Sequence, residues 1–251
     1  MDEPLSSRRS FLGASLLSVP GLSAIGAAAQ SAARTPLRVV CVGGHPDDPE
    51  SGCGGTLARY AAEGHHVTIV YLTRGERGIS GRSLDEAARI RTAEAERACT
   101  ILGAAPKFAG QIDGATEVTG PAIERFVTML RAEKPDVAFA HWPIDSHPDH
   151  QAASLLTMRA WYALSQAFPL YFFEVDAGEQ TIGFRPTTYV DVTPVRETKK
   201  RALFAHESQH GDVIYRDYHE PMESFRGREI GVAAAEGFVA LERSGRLPFV
   251  R

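Results

Sequence analysis

Short apolar runs alternate with longer amphipathic stretches along most of this chain. Continuous runs of β-branched and other apolar residues predict strands buried on both faces, as in a parallel sheet. The predicted strands are 37–42, 67–72, 107–109, 137–140, 170–175 and 187–192. Apolar positions at helical spacing predict the helices between and after them. The predicted helices are 54–63, 84–102, 121–133, 152–166, 198–206 and 230–241.

This alternation of strands and helices predicts an α/β fold with a doubly wound, mostly parallel sheet. We expect helices on both faces of the sheet, in three layers, α/β/α. A length of 251 residues is enough for a sizeable core, and a single domain is the simplest interpretation. The polar, irregular segment 207–229 predicts loops that cover the functional site.

The first thirty-odd residues differ in composition from the rest. Arg8 and Arg9 precede a moderately apolar stretch, 12–29, that ends in small residues. This pattern is typical of a twin-arginine signal peptide. We therefore assign residues 1–33 to a signal read by the twin-arginine export machinery and residues 34–251 to the folded domain. The expected location is periplasmic or extracellular. A single membrane anchor is the alternative, but Pro20 and several glycines weaken it.

Charge and cysteine content exclude some classes of function. The net charge is −4, and no long basic run is present, so the sequence gives no electrostatic reason to expect nucleic-acid binding. The chain has 3 cysteines, an odd number that cannot form a complete set of disulfides. Cys41 and Cys99 fall on apolar positions, which favours buried free thiols. Nothing in the sequence specifies an oligomeric state.

Two polar clusters follow predicted strands at their carboxyl ends. His45, Asp47 and Asp48 come after the first strand, and a second cluster comes after the strand at 137–140. The second cluster contains Asp145, His147, Asp149 and His150. Ligands of open α/β sheets bind beyond the carboxyl ends of the strands. If both strands are central and parallel, residues a hundred positions apart share one crevice.

The residue types in these clusters favour a metal ion. Neutral imidazole and carboxylate suit Zn²⁺, although Fe²⁺ or another divalent ion can occupy the same donors. His45 and Asp48 can reach one ion, and either His147 or His150 can supply a third ligand.

Other kinds of functional site fit the sequence less well. Leu57 occupies the last glycine position of a dinucleotide fingerprint, and the sequence contains neither a G-x-S-x-G elbow nor a phosphate-binding P-loop.

The motifs that carry these residues resemble those of a known family. HPDD at 45–48, GGTL at 54–57 and HPDH at 147–150 are similar to the PIG-L/LmbE family of zinc-dependent N-acetylglucosaminyl deacetylases. The resemblance extends over residues 37–238 and implies a Rossmann-like fold. Pro49 is a departure, because it separates Asp48 from Glu50 where many members have the acid directly next. The role of Glu50 is therefore left open.

The resemblance assigns roles to individual residues. It implies metal ligation by His45, Asp48 and His150, and a general base at Asp47. It also implies that His147 stabilises the oxyanion or protonates the leaving amine.

Further residues near this centre have expected roles. Arg91 and Asp113 match family positions that contact the sugar. Carboxylates commonly orient the imidazoles of metal sites, so we expect Asp149 to orient His147 or its neighbour.

The expected function is an exported, zinc-dependent hydrolase that removes an acetyl or other acyl group from an amino sugar or its conjugate. One alternative is the same machinery acting on a non-sugar amide or a thiol conjugate. Another is a metal- or sugar-binding protein without turnover. Asp47 makes this alternative less favoured, because metal binding alone needs no second carboxylate beside a ligand. A nucleotide-binding protein is disfavoured by Leu57.

Overall fold

A seven-stranded sheet forms the centre of the computed structural model, which describes residues 35–241. The strands are β1 (Arg38–Gly43), β2 (His66–Tyr71), β3 (Ala104–Phe108), β4 (Val137–His141), β5 (Leu170–Phe173), β6 (Thr188–Asp191) and β7 (Ala235–Ala240). Their order across the sheet is β3-β2-β1-β4-β5-β7-β6. The strands from β3 to β5 are parallel, and β7 is antiparallel to both of its neighbours. The predicted mostly parallel sheet is confirmed.

Helices cover both faces of this sheet. They are α1 (Asp48–Ala62), α2 (Leu84–Leu102), α3 (Gly120–Glu133), α4 (Pro148–Ala163), α5 (Arg196–Phe204), α6 (Gly211–Ile214) and α7 (Glu220–Ile230), with a π-helical turn at Tyr215–His219. Successive residues of β1 point to opposite faces. Val39 packs in the apolar cluster that contains residues of α1 and α2, and Val40 packs in the cluster that contains residues of α3 and α4. The described residues from Pro36 onwards thus form one three-layer domain.

Two helices begin several positions earlier than predicted, and both of these starts bear on the site. Helix α1 begins at Asp48, six positions before the predicted 54, and α4 begins at Pro148 instead of 152. Each has a proline in its first turn, where the missing N–H costs no intrahelical hydrogen bond. Both polar clusters therefore lie at the amino-terminal end of a helix.

The carboxyl-terminal third contains two larger errors of prediction. Segment 207–229 is mostly helical instead of a loop, and the predicted helix at 230–241 is strand β7. Phe172 pairs with Val239 in an antiparallel ladder, and β6 pairs with the other edge of β7. An alanine-rich segment has helical propensity, but backbone pairing on both sides and burial of Phe238 override it.

The cysteine prediction is confirmed, because Cys41, Cys53 and Cys99 are all free and buried. Among residues 35–241, no helix has the length and apolar character that a membrane span requires. The signal peptide and the alternative anchor concern residues 1–33, which lie outside the described residues.

Candidate metal centre and active site

The two polar clusters meet because β1 and β4 are adjacent and parallel. Their carboxyl ends open into one crevice, as expected for such a sheet. Gly44 makes the close approach possible, since a Cβ atom there would lie 2.9 Å from the His150 ring. The sequence-based inference that distant residues share one site is confirmed by this geometry.

Asp48 lies between His45 and His150 and contacts both imidazoles. Asp48 Oδ2 is 3.3 Å from His45 Nδ1, and Asp48 Oδ1 is 3.3 Å from His150 Nε2. The other nitrogen of His150, Nδ1, lies 3.1 Å from Asp145 Oδ1. Asp145 therefore orients this imidazole, as outer carboxylates do around metal sites. Asp145 lies in the predicted cluster, but the sequence does not predict this orienting role.

His141 is a further member of the centre, and from the sequence it is only a candidate to support the metal ligands. It is fully buried at the end of β4, and its ring stacks on that of His150 with a centroid separation of 4.0 Å. Its Nε2 atom lies 3.2 Å from Asp48 Oδ2 and accepts the N–H of Gly44. The signal for His141 in the sequence is its position as the last residue of a buried strand that leads into the second cluster.

The donor atoms fit a divalent metal ion. Three groups of residues have donor atoms that all lie within 4.8 Å of one another. These groups are His45/His147/His150, His45/Asp113/His147/Asp149 and Asp48/His141/His150. The expected ligands His45, Asp48 and His150 are not together in any one of these groups: His150 shares one group with His45 and another with Asp48. Imidazole nitrogens and carboxylate oxygens in this combination are typical of Zn²⁺ and similar ions.

Carboxylates surround the histidines of the centre and favour a cation there. Burial by itself would lower the pKa of His45, but hydrogen bonds to Asp113, Asp149 and Asp48 raise it well above its usual value. Burial would raise the pKa of Asp48, whereas the charges of the adjacent imidazoles hold it well below its usual range. A proton on His45 or a metal ion satisfies the same excess of negative charge.

Asp47 stands apart from the proposed ligands. It has φ 110°, a conformation rare for a residue other than glycine, and it directly precedes α1. Its Oδ2 accepts a hydrogen bond of 3.0 Å from Arg91 Nη2. Burial raises the pKa of Asp47 to about 6, and the Arg91 charge opposes this rise. Asp47 is therefore an acidic group that lies beside the candidate metal ligands and forms a salt bridge with Arg91.

Arg91 and Asp113, predicted to contact the sugar, both line the cavity of the site. Arg91 is buried and also donates to the carbonyl oxygen of Pro46 at 2.5 Å. Asp113 Oδ1 is 3.4 Å from His45 Nε2, and its Oδ2 accepts the Arg77 N–H. Both side chains thus hold parts of the site itself, and their sugar contacts stay a prediction.

Asp149 is expected to orient His147 or its neighbour, but its carboxylate contacts the imidazole of His45 instead. The Asp149 carboxylate lies 3.0 Å from His45 Nε2 and accepts the Thr116 hydroxyl at 2.6 Å. Only the backbone N–H of Asp149 reaches His147 Nδ1, at 3.2 Å. The reason is local, because His147 is the N-cap residue of α4 and accepts a first-turn N–H as capping side chains do.

The crevice is a cavity of about 490 Å³, which is within the usual range for a small-molecule site. It brings together the side chains predicted from both clusters with others from the second half of the chain. Its lining residues include His45, Asp47, Asp48, Arg77, Arg91, Asp113, His147, His150, Asp176, Gln180, Gln209 and Ile214.

Comparison with known proteins agrees with this geometry. Residues 40–161 match the family model described as PIG-L, GlcNAc-PI de-N-acetylase. The diacetylchitobiose deacetylase of Thermococcus kodakarensis is 32% identical, over 80% of this chain and 81% of that protein. The chain belongs to the PIG-L family. The matched segment contains both clusters of this PIG-L protein.

Solved structures extend the likeness of this PIG-L protein to the whole fold. The N,N'-diacetylchitobiose deacetylase of Pyrococcus horikoshii, in complex with an inhibitor, has a TM-score of 0.71 at 27% identity and covers 81% of this chain and 83% of its own. GalB of Pseudomonas putida, a 4-carboxy-2-hydroxymuconate hydratase, has a TM-score of 0.73 at 24% identity, covering 84% and 98%. This second likeness concerns the fold alone, because one fold supports different reactions.

Proposed function

We propose that this PIG-L family protein is a zinc-dependent hydrolase that removes the N-acetyl group of an N-acetylglucosamine-type amino sugar or its conjugate. One observation carries the proposal: the Asp47 carboxylate lies beside a buried cluster of metal donors and is not needed as a donor itself. The relatives named as diacetylchitobiose deacetylases support an amino sugar over a non-sugar amide or a thiol conjugate.

His45, Asp48 and His150 would hold the ion, with Asp145 and Asp149 orienting the two imidazoles. When bound, zinc lowers the pKa of a coordinated water to about 7 and polarises a carbonyl group. Other divalent ions, such as Fe²⁺, suit the same donors. The excess of carboxylates around the histidines supports a bound cation.

Asp47 is proposed as the general base. Its carboxylate takes a proton from the attacking water, and the salt bridge from Arg91 fixes its orientation. The water oxygen joins the acetyl carbon, the C–N bond breaks, and the amine leaves with one additional proton. In this proposal Asp47 returns that proton to the amine.

His147 is proposed to stabilise the developing oxyanion or to protonate the amine. Its Nδ1 accepts the Asp149 N–H, so in the neutral imidazole the proton lies on Nε2. The ring is half-buried and packs edge-on against His45, with a centroid separation of 4.6 Å. A donor in this position can stabilise negative charge that develops on the substrate oxygen.

The test is amine release from a panel of N-acetylglucosamine derivatives, before and after chelation and after zinc is restored. We expect chelation to abolish release and zinc to restore it. The matched variants are Asp47→Asn, expected to retain zinc and lose most turnover, and His150→Ala, expected to lose zinc. Equal zinc loss in both would contradict the separate roles. A metal-loaded protein inactive on every sugar would refute the amino-sugar substrate.

We also propose that residues 1–33 direct twin-arginine export to the periplasm or the extracellular space. The Arg8-Arg9 pair before the moderately apolar stretch supports this over a membrane anchor. Replacing both arginines by lysine tests it by cell fractionation. Export that persists unchanged in this variant would refute the assignment.

A further inference from the structure

Asp176 lies on the wall of the same cavity, on a loop that follows β5. Its Oδ1 is 2.9 Å from His219 Nε2. Among the described residues, no hydrogen bond reaches its second carboxylate oxygen, Oδ2. One oxygen is thus fixed by the protein, and the other remains a hydrogen-bond acceptor without a protein partner.

His219 holds this carboxylate from an unusual position. It is the last residue of the π-helical turn and is fully buried. Its Nδ1 has no hydrogen-bond partner in the described part of the chain. A buried imidazole nitrogen without a hydrogen-bond partner destabilises the fold, and such a group in a native structure calls for an explanation, of which a functional role is one. Single π-helical turns occur frequently at functional sites.

The backbone of Asp176 is also strained. Its φ is 39°, in the left-handed region that residues other than glycine rarely adopt. Its carbonyl oxygen accepts the N–H groups of Glu179 and Gln180, which closes a tight turn beside the cavity. Strain of this kind persists only where the surroundings impose it, and it is concentrated at active sites and ligand contacts.

The topology places Asp176 on the flank of the site opposite Asp113. Asp113 follows β3, Asp176 follows β5, and the candidate metal ligands follow β1 and β4, which lie between them. Both oxygens of Asp113 already have partners, in His45 and the Arg77 N–H. On the β5 side, Oδ2 of Asp176 is available to accept a hydrogen bond from a ligand. Carboxylates form strong hydrogen bonds with hydroxyl donors.

We propose that Asp176, oriented by His219, is a specificity-determining residue that accepts a hydrogen bond from one hydroxyl group of the bound amino sugar. The inference rests on the proposed function and adds to it a recognition element on the β5 side of the crevice. The reaction itself needs neither residue, so their role is selection among substrates that carry the same acetamido group.

The experiment combines substrate and protein changes. The full chain, zinc-loaded, is assayed on an N-acetylglucosamine glycoside and on analogues that each lack one hydroxyl group. For one analogue, kcat/KM should fall by about 10- to 100-fold, the range expected for losing a hydrogen bond to a charged group. In Asp176→Gly, the same analogue and the parent sugar should have nearly equal kcat/KM values. Glycine is chosen because it adopts φ 39° without strain.

Further variants separate recognition from structure. Asp176→Asn keeps the shape and should reduce the discrimination, because the amide is neutral. His219→Phe should reduce it as well, and His219→Gln should retain more of it, since the amide can still donate. The matched control is Glu179→Gln, which removes an exposed charge from the same loop and should leave the discrimination unchanged. Thermal unfolding checks that each variant is folded.

The outcomes distinguish this inference from the proposed function. If the wild-type enzyme hydrolyses the sugars and Asp176→Gly discriminates among them equally well, the inference is overturned and the function stands. If every variant loses the same factor on all analogues, the role is structural, and the inference is likewise overturned. If the wild-type enzyme hydrolyses none of the sugars, both fail.

Discussion

Glu50, whose role the sequence leaves open, is the acceptor at the centre of a buried network beneath Asp47. Its Oε2 accepts the Asp47 N–H at 3.2 Å, and its Oε1 accepts the Tyr71 hydroxyl at 2.5 Å. His206 Nε2 lies 3.3 Å from the same Oε1. Glu50, Tyr71 and His206 are fully buried. We therefore expect Glu50 to stabilise the fold and to hold the strained Asp47 backbone.

The magnitude follows from the groups that lose an acceptor. Glu50→Ala leaves the Tyr71 hydroxyl and the Asp47 N–H without this acceptor. Each such loss costs about 1–3 kcal/mol, so the free energy of unfolding should fall by roughly 2–6 kcal/mol. Glu50→Gln keeps the volume and one carbonyl oxygen, and should cost about 1–3 kcal/mol.

Urea denaturation measures these free energies, and steady-state kinetics measures the effect on Asp47. Glu50→Gln should keep its zinc and lower kcat more than it changes KM, because Asp47 loses part of its backbone anchor. Glu63→Gln is the control: it changes an exposed glutamate after the same helix and should stay within about 0.5 kcal/mol of wild type. A Glu50→Ala protein as stable as this control would refute the reasoning.

The remaining predictions concern three other buried side chains. Arg91→Lys should lower kcat by about 10- to 100-fold with little change in KM, because the lost contact orients Asp47. A rise in KM alone would instead support the predicted contact between Arg91 and the sugar. Lys199→Met should destabilise the protein by about 3–5 kcal/mol in urea denaturation, because it leaves Glu236 buried without its cation and leaves Glu223 only Arg196. An unchanged midpoint would contradict this. Asp145→Asn should weaken zinc binding by about 10- to 100-fold in a chelator competition, because His150 loses its orienting acceptor; unchanged affinity would show that the ring is oriented by other contacts.

Helix α2 shows how far local signals reach. Its bounds, Leu84–Leu102, agree with the prediction because both end signals are local. Ser83 accepts the Glu86 N–H at the start, and Gly103 adopts φ 73° at the end. Strand β7 shows the limit, since its pairing partners on either side are about 45–70 residues away in the sequence. A local pattern carries no information about such partners.

The amino-acid sequence is enough to predict the fold class, the family resemblance and the two clusters, because hydrophobic periodicity and motif spacing are properties of neighbouring residues. The tertiary structure is needed to tell which carboxylate contacts which imidazole. Asp145 contacts His150, and Asp149 contacts His45 from a cluster about a hundred residues away. The tertiary structure is also needed to tell that Asp176 and His219 meet at the cavity wall. Such contacts depend on strand order and helix packing, which set the distances between side chains that are far apart in the sequence. A local pattern does not encode these distances.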